Sequence, residues 1–145
     1  MLSFTRMFCA IHEIGAAVLE IVMEPQSARI LIVDDEAVVR LTLDMLLQRR
    51  GYLVTVASNG DEALVLIAQQ PFDLLLLDYK MPGLSGLDVA LRAHELLPKA
   101  AVLFLTGSST IAGLPEAPGL EHFDVLLKTA SPQEVLDRVA AMLSA

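Results

Sequence analysis

From Ile30 onward the chain alternates short apolar runs with longer segments that carry a helical stripe, and that alternation limits the folds open to it. The runs are Ile30-Leu-Ile-Val33, Val54-Thr-Val-Ala57, Leu74-Leu-Leu-Leu77, Ala101-Val-Leu-Phe-Leu105 and Val125-Leu-Leu127. Runs this short, bounded by turn or charged residues, read as strands buried on both faces. Between the first two, Val39, Leu43, Leu46 and Leu47 fall at i, i+4, i+7 and i+8, and Gly51 offers a left-handed stop. A second helix is predicted over Asp61–Gln70, closed by Pro71. A third is predicted over Gly86–Leu97, with Leu87, Ala90, Leu91 and His94 on one face and Pro98 after it. The last opens at Ser131-Pro132-Gln133-Glu134, a capping box with proline at the first helical position, and Val135, Val139 and Met142 supply its apolar face. Strand and helix in alternation imply parallel strands joined by crossovers. The predicted fold is α/β: a doubly wound, five-stranded parallel sheet covered on both sides.

Such sheets bind ligands at the carboxyl ends of their strands, which is where the chemistry is to be sought. Val33 is followed by Asp34, Asp35 and Glu36, Leu77 by Asp78, Leu105 by Thr106 and Gly107, and Leu127 by Lys128. All of these are expected to face one shallow pocket. Two unit charges about 4 Å apart repel by roughly 4 kcal/mol at an effective dielectric of about 20, so clustered carboxylates call for a cation. Hard oxygen donors without His or Cys suit Mg²⁺. A carboxylate can attack phosphorus, a lysine and a metal can offset the charge on the transferred group, and a hydroxyl can donate to one of its oxygens. The set is complete for accepting a phosphoryl group. It is incomplete for hydrolysis, because no free general base stands out.

The strings Ile30-Leu-Ile-Val-Asp-Asp-Glu36, Leu77-Asp-Tyr-Lys-Met-Pro-Gly-Leu-Ser-Gly86, Phe104-Leu-Thr-Gly107 and Leu127-Lys128 resemble the receiver domain of two-component response regulators over Ala28 to Ala145. The resemblance implies a flavodoxin-like receiver fold. It implies that Asp78 takes phosphate from a histidine kinase or histidine phosphotransfer protein. Asp34, Asp35 and Asp78, with the backbone carbonyl of Lys80, are then the Mg²⁺ ligands, while Thr106 and Lys128 contact the phosphoryl oxygens and shift on phosphorylation. A downstream protein target is implied as well, with a homodimer as one option.

Three positions depart from the family pattern. Thr129 follows Lys128 where the family has a proline after a cis bond. A non-proline cis bond costs about 3–4 kcal/mol, so either that strain is retained or the loop is rebuilt as trans. Val125 stands three residues before the lysine, where the family often carries a Tyr or Phe that swings between rotamers. Gly113, Pro115, Pro118 and Gly119 interrupt Ser108–Gly119, so a loop with at most one helical turn is expected in place of a fourth helix. Phe104-Leu-Thr-Gly107 also resembles a receiver subgroup with a Phe-Ala-Thr-Gly signature and a short fourth helix.

Composition narrows the function further. The 145 residues suit one domain, and a formal charge of −8 without a basic stripe argues against a nucleic-acid partner. Cys9 is the only cysteine, which excludes a disulfide framework and fits a cytoplasmic setting. Residues 1–27 are set apart as an extension. Phe4, Phe8, Ile11, Gly15, Val18 and Val22 suit an amphipathic helix, and the alternative is upstream sequence with the functional start at Met23. Charges at Arg6, His12, Glu13 and Glu20 break the segment well short of the roughly 20 apolar residues that a membrane span needs, so no membrane insertion is expected. His12, His94 and His122 lack metal spacing, and the side chain of Lys80 is expected in solvent at the pocket mouth.

The expected function is therefore a stand-alone, non-enzymatic receiver, since the chain ends at Ala145 soon after the last helix. A phosphatase of the haloacid-dehalogenase class also uses an aspartate after a strand, but it needs a second carboxylate two residues on, where Lys80 stands. The remaining alternative is a pseudo-receiver or adaptor that binds partners without phosphate. Taken singly, Asp34 and Asp35 also suit a solvated helix start, Thr106 a cap, and Lys128 an ordinary surface.

Overall fold

The computed structural model describes residues 27–107 and 120–144. In chain order the elements are β1 (Arg29–Val33), α1 (Ala37–Gln48), β2 (Leu53–Ala57), α2 (Gly60–Gln69), β3 (Leu74–Asp78), α3 (Gly86–Leu96), β4 (Ala101–Thr106), β5 (Phe123–Leu127) and α4 (Pro132–Leu143). The five strands are all parallel and lie in the order β2-β1-β3-β4-β5. This is the doubly wound sheet expected from the alternation. The expected loop over 108–119 and the extension over residues 1–26 lie outside the described residues.

The apolar runs alternate between two cores, as the two-residue period of a strand requires. Ile30, Ile32, Leu74, Leu76, Leu103 and Leu105 pack with Leu43 and Leu47 of α1 and with Val135, Leu136, Val139 and Met142 of α4. Leu31, Val33, Leu75, Leu77, Val102 and Phe104 face the other way, against Ala63 and Ile67 of α2 and Val89, Ala90 and Ala93 of α3. The central strands β1, β3 and β4 are thus buried on both faces, whereas the edge strands β2 and β5 are only partly covered. Leu53 and Val56 of β2 remain 48% and 37% exposed, so the two-sided burial read from the runs holds only for the interior strands.

Local signals set the helix ends. Gly51 has φ +88°, the left-handed stop expected after α1. Asn59 caps α2 by accepting from the Glu62 backbone N–H at 2.8 Å, so α2 starts one residue earlier than its acidic residues suggest. Ser131 caps α4 by accepting from the Glu134 N–H at 3.2 Å, with Pro132 at the first helical position. Ser85 caps α3 in a capping box with Asp88, a pairing that was legible in Ser85-Gly-Leu-Asp88.

The face of α3 differs from the expected one. Gly86, Val89, Ala90 and Ala93 are buried, while Leu91 is 38% exposed and Leu87 and His94 are only half-buried. The cause lies at Gly86. A Cβ placed there would collide with the backbone carbonyl oxygen of Asp78 and lie 3.1 Å from the Cα of Tyr79. Its N–H donates to the Tyr79 carbonyl at 3.1 Å. Close approach of the helix start to the end of β3 selects Gly86, Ala90 and Ala93 for the inward face, leaves Leu87 at its margin and turns Leu91 outward. Because overpacking of this kind costs about 1–3 kcal/mol, Gly86→Ala is expected to lower stability by that amount in urea unfolding. An unchanged midpoint would mean that α3 does not approach β3 so closely.

Candidate functional site

The site is built where β1, β3, β4 and β5 end. Ile30 and Ile32, Leu74 and Leu76, and Leu126 all face the α1–α4 core. The same alternation carried past the strands brings Asp34, Asp78 and Lys128 to one side. Backbone pairing fixes their heights: the Asp34 N–H donates to the Ala57 carbonyl at 3.3 Å, Tyr79 N–H to Leu105 at 2.8 Å and Lys128 N–H to Thr106 at 2.8 Å. Asp35, Glu36, Asp78, Lys80, Thr106, Gly107 and Lys128 line one open cavity of about 420 Å³. Of the strand-end residues expected to share a pocket, all but Asp34 line it, and Asp34 is buried beneath them against Lys128.

Lys128 is the hub. Its Nζ lies 3.0 Å from Asp34 Oδ2, 3.1 Å from Asp78 Oδ2 and 3.0 Å from Glu36 Oε1. The first two carboxylates are buried, with side chains 1% and 5% exposed, whereas Glu36 is 63% exposed. No cis peptide bond occurs among the described residues, so Lys128–Thr129 is trans and the lysine reaches both buried acids without cis strain. The loop after β5 is rebuilt, and the lysine keeps its aim.

The second oxygens of the two acids are held by backbone. Asp34 Oδ1 accepts from the Glu36 N–H at 2.8 Å, and Asp78 Oδ1 from the Lys80 N–H at 3.3 Å. Arg40, one turn into α1, donates to the Asp34 carbonyl at 2.7 Å. Asp34 Oδ2 is buried and, among the described residues, receives no hydrogen bond and is met by the Lys128 ammonium alone, as an ion pair. Thr106 is 8% exposed at the end of β4 and sits in the cavity wall. Lys80 is exposed at the mouth, as expected for its side chain.

Carboxylate oxygens of Asp34, Asp35, Glu36 and Asp78 all lie within 4.8 Å of one another. Four carboxylates against one ammonium leave excess negative charge, and the Asp34 oxygen lacks a hydrogen-bond donor. Hard anionic donors with an unsatisfied buried member fit a small divalent cation. The Asp78 carboxyl feels the crowding and is pushed up from 3.8 to about 6, first by burial and then by the Asp34 charge. A hydrogen bond from Lys128 pulls it partly back, and contact with Asp35 raises it again. Burial alone would lower the Lys128 ammonium, but the close ion pairs with Asp34, Glu36 and Asp78 outweigh it and hold the group above its ordinary range.

One residue at the site was missed in the sequence, and the role of another. Glu36 stood in the quoted acidic string without a role, yet it bonds to a lysine 92 positions away. Arg40, inside the first helical segment, had no assigned role and donates to the Asp34 carbonyl. Nothing local in the sequence reports either contact, since both depend on where α1 starts relative to β1 and β5.

The family follows from comparison with known proteins. The model of the response regulator receiver domain matches residues 30–140, and the chain belongs to that family. Phosphorylation and Mg²⁺ binding within two-component systems are general features of its members. The chain is 37% identical to the transcriptional regulatory protein ResD of Bacillus subtilis over 121 residues, which are 83% of this chain and 50% of ResD, so it spans about half the length of that relative. It is 33% identical to the response regulator receiver protein CpdR of Brucella abortus, over 81% of this chain and 98% of CpdR. The crystal structure of the response regulator TrrA from Thermotoga maritima in complex with Mg(2+)-BeF aligns with TM-score 0.69 and 34% identity, covering 79% of this chain and 98% of TrrA.

The raised Asp78 carboxyl makes a signed prediction. Between 3.8 and about 6 the folded protein binds more protons at Asp78 than the unfolded chain does. Metal-free stability contributed by this group is therefore present at low pH and lost as pH rises through that window. Carbon-13 NMR of the Asp78 carboxyl in metal-free buffer should titrate near 6. Titration at an ordinary carboxylate value would contradict the crowded geometry.

Proposed function

We propose that this protein is a phosphorelay receiver that accepts a phosphoryl group on Asp78 from a phosphohistidine donor with Mg²⁺ and signals through protein–protein contacts. The observation that carries this reading is the placement of Asp78 beside Asp34 and Lys128, with Thr106 in the same cavity. A carboxylate oxygen of Asp78 attacks phosphorus and forms the new O–P bond. The P–N bond to the donor imidazole breaks, and its electron pair returns to the ring, which takes a proton from solvent. Lys128 supplies a positive charge for the arriving oxygens, and Thr106 offers a hydroxyl in the same cavity wall. Asp34, Asp35 and Asp78, with the Lys80 carbonyl, are the groups proposed to hold Mg²⁺, which would lower the repulsion between an anionic nucleophile and an anionic donor.

Among the described residues, the carboxylates that line the cavity are proposed cation ligands or are paired with Lys128, which supports an acceptor over a phosphatase with steady turnover. The residue two after Asp78 is Lys80, where a haloacid-dehalogenase needs an acid. The match along 98% of CpdR supports action as a single receiver unit. Output through the family's rotating aromatic is not part of this reading. Val125 occupies that place, half-buried, with its N–H on Asp124 Oδ1 at 2.7 Å and its carbonyl taking a bond from Arg138 at 3.2 Å. Among the described residues no helix is long and apolar enough to cross a membrane.

Incubation with acetyl phosphate and Mg²⁺, read by intact mass, should give one phosphoryl adduct that is absent in Asp78→Asn. Lys128→Met should load roughly 10²-fold more slowly, the usual scale for losing one charge-stabilising donor. No adduct on the wild-type chain would favour a partner-binding pseudo-receiver instead.

A further inference from the structure

We propose that Glu36 is a positioning residue that gives Lys128 a resting place at the pocket mouth, so that Asp34 and Asp78 can be released to a divalent cation. This inference rests on the acceptor reading above. Lys128 holds Asp34 Oδ2 and Asp78 Oδ2, and these two buried oxygens belong to the acids proposed as cation ligands. The ammonium is thus an internal counter-ion that competes with the metal. A dication arriving at those oxygens repels the lysine, which then needs another anion within reach.

Glu36 meets that need. Its Oε1 lies 3.0 Å from Lys128 Nζ, and its side chain is 63% exposed, free to follow the lysine outward. Its own backbone N–H is anchored on Asp34 Oδ1 at 2.8 Å, which keeps the arm at the rim as the buried oxygens change partner. The lysine then stays in the mouth, on the cavity wall it shares with Thr106. An exposed ion pair of this kind has a modest effect, about two- to fivefold in an equilibrium constant.

Two routes could link Glu36 to cation affinity, and a double-mutant cycle separates them. If Glu36 acts through Lys128, its loss frees the ammonium to compete harder for Asp34 and Asp78. If it acts as a ligand or a bare charge on the metal, Lys128 is irrelevant to the effect. The experiment is calorimetric titration of Mg²⁺ into the full chain, without a phosphodonor, for wild type, Glu36→Gln, Lys128→Met and the double variant. Glu36→Gln is expected to weaken Mg²⁺ binding about two- to fivefold, and Lys128→Met to tighten it. In the Lys128→Met background the Glu36→Gln effect should fall to less than half its size. An equal Glu36→Gln penalty with and without Lys128 would overturn the proposal while leaving the acceptor reading intact. Absence of Mg²⁺ binding by the wild-type chain would overturn both.

Discussion

The structure turns on one ammonium group placed between two buried carboxylates. Asp34 and Asp78 end adjacent central strands with side chains only 1% and 5% exposed, and the chain carries them there at a cost in desolvation. Lys128, from the loop after β5, offsets that cost and in doing so ties the far strand to the middle of the sheet. Removing one partner of a buried ion pair typically costs about 3–5 kcal/mol, because the other charge is left without compensation. The compensation is incomplete here. Four carboxylates cluster there and three of them share the Lys128 ammonium, Asp34 Oδ2 accepts no hydrogen bond, and Asp78 is pushed up to about 6. The same imbalance that strains the metal-free site is what makes it suited to a cation and then to a phosphoryl group.

The scaffold has to bring those charges together without letting them dominate stability, and it does so through two apolar cores. Alternate residues of β1, β3 and β4 feed a core with α1 and α4 on one face and a core with α2 and α3 on the other. At Gly86 the second layer comes close enough to touch the backbone of Asp78 itself. Helix α3 thereby supports the strand end that carries the proposed acceptor. Tyr79, the next residue, packs edge-on against Phe104 at 5.7 Å, and Phe104 against Phe123 at 6.0 Å, so an aromatic row spans from β3 to β5 behind the site. These contacts hold the acceptor strand from the side opposite Lys128.

Much of this was legible in the sequence. Short apolar runs placed all five strands to within two residues, most tightly for the interior strands, which leave little room for polar residues. Rules for strand ends then gather Asp34, Asp35, Asp78, Thr106 and Lys128 at one end of the sheet. What stayed hidden depended on contacts between distant elements. The rotation of α3 follows from a backbone approach at Gly86 that no helical stripe encodes. The bond from Glu36 to Lys128 and that from Arg40 to the Asp34 carbonyl depend on the angle at which α1 leaves β1. The Lys128–Thr129 bond, for which the sequence left two conformations open, is trans, and the lysine reaches both buried acids with it.

The central claim is that the phosphoryl group rests on Asp78 and on no neighbouring acid. An aspartyl phosphate is an acyl phosphate, and borohydride reduces it to homoserine, leaving free carboxylates untouched. The protein loaded with acetyl phosphate and Mg²⁺, then reduced and mapped by tandem mass spectrometry, should carry homoserine at position 78 alone. Homoserine at Asp34 or Asp35, or at no position despite a phosphoryl adduct on the intact chain, would contradict the account.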